Sequence, residues 1–254
     1  MNEGMPKREA SAAKKLLLAA AMAALAVYYI SQNEPGGNLI PDDLANKEYS
    51  EIQIKERLVL LQEKHNLYYK EPNKEKRASI MTSSEIQEMR AWFIYVYGRL
   101  AQEMYQKYKI PPMVSMGQAM NESGSGSSDL AMQAQNYFGI KCHQHSQKSN
   151  IGKEMDHCKG HTDDVVEDRF LKHKDIHESF VAYAKLISRN KDTNGRYRNA
   201  FDCDYDDYRC WITAIKDAGY ATDPDYVDKI VRIIEDNKLP EKLGKGMTYD
   251  ILGK

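Results

Sequence analysis

The stretch Gln118-Ala119-Met120-Asn121-Glu122-Ser123-Gly124-Ser125-Gly126-Ser127-Ser128-Asp129-Leu130-Ala131, followed by Asn136-Tyr137-Phe138-Gly139-Ile140-Lys141, decides how this chain is read. An apolar helical run carrying Val114, Met116 and Met120 stops near Glu122, where a Gly/Ser-rich turn begins. A carboxyl group at such a junction is expected to be part buried and part open to a cleft. Burial disfavours the charged form, so its pKa should rise toward the value a general acid needs near neutral pH. Gly124 and Gly126 permit unusual backbone angles and the close approach of a ligand strand. A tight turn of purely structural purpose would want the same glycines, and a Glu at a helix end is ordinarily just solvated.

Outward from this stretch the period is helical. Ser84-Glu85-Ile86-Gln87 reads as a capping signal, a hydroxyl with an amide three residues on. Ile86, Met89, Phe93, Val96, Leu100 and Met104 then recur at helical spacing. Pro111-Pro112 starts the next helix, whose methionines belong to a core, and Ser128 caps a short one through Ala134. From Tyr137 to Lys172 the period fails and Gly, His and Asp punctuate the chain, as in an irregular lobe with one β-hairpin. Helical pattern resumes after Asp175 with Phe180, Tyr183, Ala184 and Ile187, and again over Asp206 to Ala218, ending at Gly219. The last helix follows Asp223, with Pro224 at its first position and Tyr226, Ile230, Ile233 and Ile234 behind it. The expected fold class is mostly α (α+β), a helical domain with a small β lobe.

The flanks carry a different message. Leu16 to Ile30 is an uninterrupted apolar run, preceded by Lys7, Arg8, Lys14 and Lys15. It reads as a signal-anchor helix, or as a signal peptide cleaved after Ala24-Leu25-Ala26. Either way the positives stay inside and everything beyond residue 31 is sent outside. Residues 31–83 read as a tether, with Pro35-Gly36-Gly37 and an amphipathic helix over 46–69 that could meet a partner in an envelope assembly. A globular domain over 84–238 and a tail over 239–254 complete the scheme. Charged residues make up 29% of the 254 and the net charge is −1, which lacks the basic excess of a nucleic-acid binder.

Four cysteines, Cys142, Cys158, Cys203 and Cys210, suit an oxidising compartment. The pairing Cys142–Cys158 with Cys203–Cys210 closes two short loops and is preferred among three connectivities. The alternative is metal: Cys142-His143-Gln144-His145 and His157-Cys158-Lys159-Gly160-His161 could hold zinc, although their spacing matches no common finger.

Glu122-Ser123-Gly124-x-Gly126-x-Ser128-x-Leu130-Ala131, then Asn136-x-Phe138-Gly139-Ile140-Lys141, resembles the glucosaminidase domain of bacterial peptidoglycan hydrolases, glycoside hydrolase family 73. A second block, Ala218-Gly219-Tyr220-Ala221-Thr222-Asp223-Pro224-Asp225-Tyr226, is similar to that family's C-terminal signature, and the resemblance spans roughly 84 to 238. It implies a lysozyme-like fold and an endo-β-N-acetylglucosaminidase that cuts peptidoglycan glycan strands, faces the cell wall and needs no cofactor or metal. It makes Glu122 the general acid. A second carboxylate is implied in the β lobe, where Asp163 and Asp164 precede Phe170-Leu171-Lys172-His173 and Glu154 and Glu167 are rivals. The substrate's own acetamido group could replace that carboxylate as nucleophile. The resemblance also suggests Tyr220 at the cleft border, and Tyr137, just ahead of the lobe, reads as a sugar platform beside a core Phe138. Ser125 departs from the Trp or Asn that many relatives carry there, which puts one sugar contact in doubt. A muramidase or lytic transglycosylase is the rival enzyme, and a non-catalytic glycan-binding scaffold is the rival of another class.

Overall fold

Residues 51–141 and 170–244 are described by the computed structural model of this chain. The apolar run 16–30, the segment from residue 31 to 50, Asp163 and Asp164, Glu154 and Glu167, and the Cys142–Cys158 pair with its neighbouring histidines lie outside the described residues. Among the described residues no helix is long and apolar enough to cross a membrane.

The longest helix is set by its start signal. Thr82 is in extended conformation, its hydroxyl accepts from the N–H of Glu85 at 3.2 Å, and the Glu85 carboxylate accepts from the N–H of Thr82 at 3.0 Å. This reciprocal box corrects the expected one at Ser84 and Gln87. Thr82-x-x-Glu85 satisfies the same pattern two residues earlier, and a carboxylate accepts more strongly than an amide. Counting from the first described helix, α1 is Glu51–Lys70, α2 Lys74–Ile80 and α3 Ser83–Tyr108. Met89, Phe93, Ile94, Val96, Leu100 and Met104 of α3 are buried.

Pro112 opens α4, Pro112–Ser123, every residue of which is buried from Pro112 to Met120. A helix apolar on all sides has to sit in the middle of a domain. Here α4 packs against α3, α7, α8 and α9, where α7 is Tyr208–Asp217, α8 Tyr226–Asp236 and α9 Leu239–Leu243. Gly117 permits the close crossing with α8, since a Cβ there would lie 2.8 Å from Ile234 Cγ1. Two helices complete the frame. Ser128 caps α5, Asp129–Ala134, as expected, and Asp175 caps α6, Ile176–Ser188, by accepting from the N–H of Glu178. On α6, Phe180, Tyr183, Ala184 and Ile187 face the core as their spacing implies.

Three expectations change. The helix read as part of a tether packs along α3 instead, burying Ile54, Leu58 and Leu61, and Arg57 makes two 2.8 Å bonds to the Glu88 carboxylate. Charges flank its apolar stripe, and two of them, Arg57 and Lys64, pair with Glu88 and Glu85 of α3, so the partner this helix meets is α3 of its own chain. The segment expected as a tail begins with α9, whose Leu239 and Leu243 are buried. The last long helix starts at Tyr226, with Pro224 and Asp225 in the turn ahead of it. The hairpin expected between Tyr137 and Lys172 lies mostly outside the described residues, which contain one antiparallel bridge there, between Lys141 and Phe170.

Cys203 and Cys210 form the expected disulfide, joining a 3-10 turn over Arg198–Asp202 to the start of α7. Closing a loop of separation 7 restricts the unfolded chain by about 2 kcal/mol. The double variant Cys203→Ser/Cys210→Ser is therefore expected to lose about that much in a denaturant titration while keeping its helical circular dichroism.

Candidate active site

Glu122 occupies the last turn of α4, and the bend immediately after it fixes its position. Gly124 takes φ +57 and returns its N–H to the carbonyl of Met120, ending the helix. Ser125 at φ +56 and Gly126 at φ +85 continue in the left-handed region. The Ser123 hydroxyl ties the bend by donating to Ala119 O at 2.6 Å and accepting from Gly126 N–H at 2.8 Å. At Gly126 the need for glycine is steric as well as torsional. An added Cβ would sit 2.4 Å from Gln62 Nε2. Gly126→Ala is expected to cost about 2–3 kcal/mol in chemical denaturation, from left-handed strain plus displacement of Gln62.

The carboxyl group itself is partly buried. Its Oε1 accepts from the Tyr226 hydroxyl at 2.8 Å and from Asn121 Nδ2 at 3.4 Å, and Oε2 lies beside Gly139. Tyr226 in turn accepts from Gln118 Nε2 at 2.9 Å, and Gln118 Oε1 accepts from the Tyr183 hydroxyl. A relay thus runs from Tyr183 on α6 through Gln118 on α4 and Tyr226 on α8 to Glu122. Gln118 and Tyr183 are fully buried, so the relay is rigid and shielded from water.

Electrostatically, burial pushes the Glu122 carboxyl above its ordinary value, against the opposing pull of the Tyr226 hydrogen bond, and the charge of Asp223 adds to the rise. The phenol of Tyr226 is itself pushed far up by burial and by the neighbouring carboxylate. It therefore stays a donor throughout the useful pH range.

The Asn136 motif supplies the wall next to Glu122. Buried Asn136 donates to the carbonyls of Ile140 and Leu171, both at 3.0 Å, while its carbonyl accepts from Phe138 N–H at 3.3 Å and Ile140 N–H at 3.1 Å. One side chain folds residues 136–140 back on themselves and fastens them to the backbone at Leu171. Phe138 stacks on Tyr183 with ring centres 4.1 Å apart. Tyr220, from the second block, donates its hydroxyl to the Phe138 carbonyl at 2.9 Å, and its ring lies 6.2 Å from that of Tyr226. The turn that carries Tyr220 is held by Arg196, which donates to the carbonyls of Ala218 and Gly219 at 2.6 and 2.7 Å.

Of the residues singled out from sequence, Glu122 and Tyr220 are brought together with the loop 136–140 around one site. Two others are corrected. Tyr137 is only 4% exposed, wedged against Phe93 and Tyr97 of α3, with its N–H on Ser179 Oγ at 3.0 Å. It is a core residue and presents no ring to a sugar. Ser125 is 3% exposed and contributes its carbonyl, which accepts from Gln62 Nε2 at 2.8 Å. Its place in the bend turns the side chain inward. Tyr226, Gln118 and Tyr183 were read from sequence as motif or core positions without a role in the site. Their only signal was that Gln118 and Tyr226 lie inside the two blocks, and periodicity cannot say that two blocks touch.

With this geometry in place, comparison with known proteins identifies the chain: it belongs to the glucosaminidase family, described as mannosyl-glycoprotein endo-beta-N-acetylglucosaminidase, which it matches over residues 98–239. It is 32% identical over 160 residues to the exo-glucosaminidase LytG of Bacillus subtilis, an alignment covering 63% of this chain and 55% of that protein. It is 31% identical over 117 residues to the peptidoglycan hydrolase FlgJ of Vibrio cholerae, covering 46% of this chain and 32% of the relative. Among solved structures, a peptidoglycan hydrolase from Sphingomonas sp. A1 aligns with TM-score 0.47 at 24% identity, over 64% of this chain and 96% of that one.

Proposed function

We propose that this chain is a peptidoglycan hydrolase of the endo-β-N-acetylglucosaminidase type, cutting the β-1,4 bond on the reducing side of N-acetylglucosamine with Glu122 as general acid. One observation carries the reading. The Tyr226 hydroxyl from one signature block binds the Glu122 carboxyl from the other at 2.8 Å, in a setting that keeps this carboxyl protonated to higher pH than an exposed one. Family membership supports the endo-glucosaminidase part of the reading, and the relatives, an exo-glucosaminidase and a peptidoglycan hydrolase, support glucosaminidase action and a peptidoglycan substrate.

In this reading Glu122 gives its proton to the glycosidic oxygen as the bond breaks, and positive charge builds on the sugar ring. Tyr226 holds the carboxyl in one rotamer and, as Glu122 becomes an anion, stabilises the developing charge through the same hydrogen bond. Tyr220 and the loop 136–140 form the wall beside it. The second group is a carboxylate, Asp163 or Asp164 in the sequence reading, which would suit inversion if it stands far from Glu122, or the acetamido oxygen of the substrate itself. No cofactor or metal enters either route. Peptidoglycan as substrate places the enzyme outside the cytoplasm, and residues 16–30 would be the anchor or signal that takes it there.

Digestion of purified peptidoglycan, followed by borohydride reduction and mass spectrometry, tests the reading. Reduced N-acetylglucosamine ends on fragments of mixed length are expected. Reduced muramic or 1,6-anhydro ends would assign the chain to a muramidase or transglycosylase instead. Release of terminal sugars alone would make it exo-acting, as LytG is named, and glycan binding without turnover would make it a scaffold module.

A further inference from the structure

The bend after Glu122 is an unusual piece of backbone. Three consecutive residues, Gly124, Ser125 and Gly126, lie in the left-handed region, where a non-glycine residue such as Ser125 is strained and contacts that brace the bend offset that strain. Such bracing comes from α1. Gln62, 8% exposed, donates to the Ser125 carbonyl at 2.8 Å, and the same amide fills the space a Gly126 side chain would need. His65, 3% exposed, holds Ser127 through Nδ1 and Oγ at 2.6 Å. The Ser127 hydroxyl already donates its one proton to the Gly124 carbonyl at 2.8 Å, so His65 Nδ1 has to be the donor. Burial and the charge of Arg90 hold the His65 ring down to about pKa 4, which leaves it neutral above that pH with its proton on Nδ1. Asn66 adds a bond to the Ser127 carbonyl at 2.7 Å.

We propose that Gln62 and His65 are positioning residues for glycosidic cleavage, fixing the bend at 124–127 and through it the aim of the Glu122 carboxyl. The inference rests on the general-acid reading above but goes beyond it, because α1 lies wholly outside the residues 98–239 matched to the family. The working unit of this enzyme therefore begins at α1. Two amides and an imidazole do what the bend's own residues cannot: they satisfy carbonyls and hydroxyls that would otherwise face the core unbonded. Loosening them lets the end of α4 fray, admits water to Glu122 and spreads its rotamers. A misplacement of about 1 Å at a reacting group can cost roughly a hundredfold in rate.

The test uses the full chain and four variants on soluble glycan strands, below each variant's unfolding temperature. Gln62→Met keeps volume and removes the donor. His65→Leu removes the ring nitrogen, and His65→Asn restores an N–H where Nδ1 stood. Ile52→Ser lies on the exposed side of α1 and serves as control. Gln62→Met and His65→Leu are expected to lower kcat roughly ten- to a hundredfold with KM changed by less than about twofold. The alkaline limb of their pH profile should move to lower pH, since a rehydrated Glu122 loses its proton sooner. His65→Asn should recover most of the loss, and Ile52→Ser should match wild type. Variants that keep wild-type kcat and pH profile and lose only thermal stability would reduce α1 to a structural prop and overturn the proposal. So would a His65→Asn no better than His65→Leu. Should His65→Leu fail to fold, Gln62→Met and His65→Asn still decide through kcat and the position of the alkaline limb. A wild-type chain that releases nothing from glycan strands would sink the general-acid reading, and this one with it.

Discussion

Glu122→Gln is expected to abolish muropeptide release, a loss of roughly 10²–10⁴-fold for a missing general acid, while the folded protein becomes more stable at neutral pH. The sign comes from linkage. Burial raises the folded-state pKa of Glu122 above its ordinary value of 4.5. Its favourable contribution is therefore complete below that pH and is lost as pH climbs through the raised value. Above the raised value the wild type carries a poorly solvated carboxylate, and below it the fold has to hold a proton that the unfolded chain would release, whereas the amide variant bears neither cost. Calorimetry across pH 4 to 8 should show the two unfolding temperatures converging in acid and the variant ahead at neutrality. An inactive variant that was also less stable at pH 7 would mean that Glu122 is a structural anion rather than a sheltered acid.

Tyr226→Phe should have the second-largest effect. The substitution keeps the ring and deletes the hydroxyl that links Gln118 to Glu122. Two consequences separate it from an ordinary core change. Gln118 is 0% exposed, and losing its acceptor leaves its buried N–H unbonded, while its carbonyl keeps the Tyr183 hydroxyl, at about 1–3 kcal/mol. The hydrogen bond also lowers the Glu122 pKa, so its loss lifts that pKa further and moves the alkaline limb to higher pH, opposite to the shift expected for the α1 variants. With the carboxylate less stabilised and its rotamer free, kcat should fall about ten- to a hundredfold. A stability titration with a pH–rate profile would show both. If the limb stays where it is in wild type, Tyr226 does not govern the acid.

How far the sequence carried differs from element to element. Helices at 83–108, 112–123, 176–188 and 208–217 were plain, because apolar residues at helical spacing between a capping polar group and a glycine or proline leave few alternatives. Glu122 was plain for a local reason, standing where an apolar helix meets a glycine-rich bend. The start of α3 differs from the expected one because Thr82-x-x-Glu85 and Ser84-x-x-Gln87 fit one pattern, and only the geometry of the two reciprocal cap bonds separates them. Tyr137 and Ser125 were misjudged for a shared cause: a side chain's direction in an irregular loop has no period to read. Tyr137 follows Asn136, whose side chain folds the loop inward.

By itself the sequence determined that this is a mostly helical glucosaminidase-family chain with one marked carboxyl at the end of a buried helix. Those features depend on residues close together along the chain. Only the tertiary structure decided that Tyr226 meets Glu122 across 104 positions, that Gln118 and Tyr183 stand behind them, and that α1 grips the bend instead of trailing from it. The reason is physical. Hydrogen bonds between distant segments leave no periodic trace, and each helix's partners are chosen by which apolar faces pack together, a choice made by the whole chain at once.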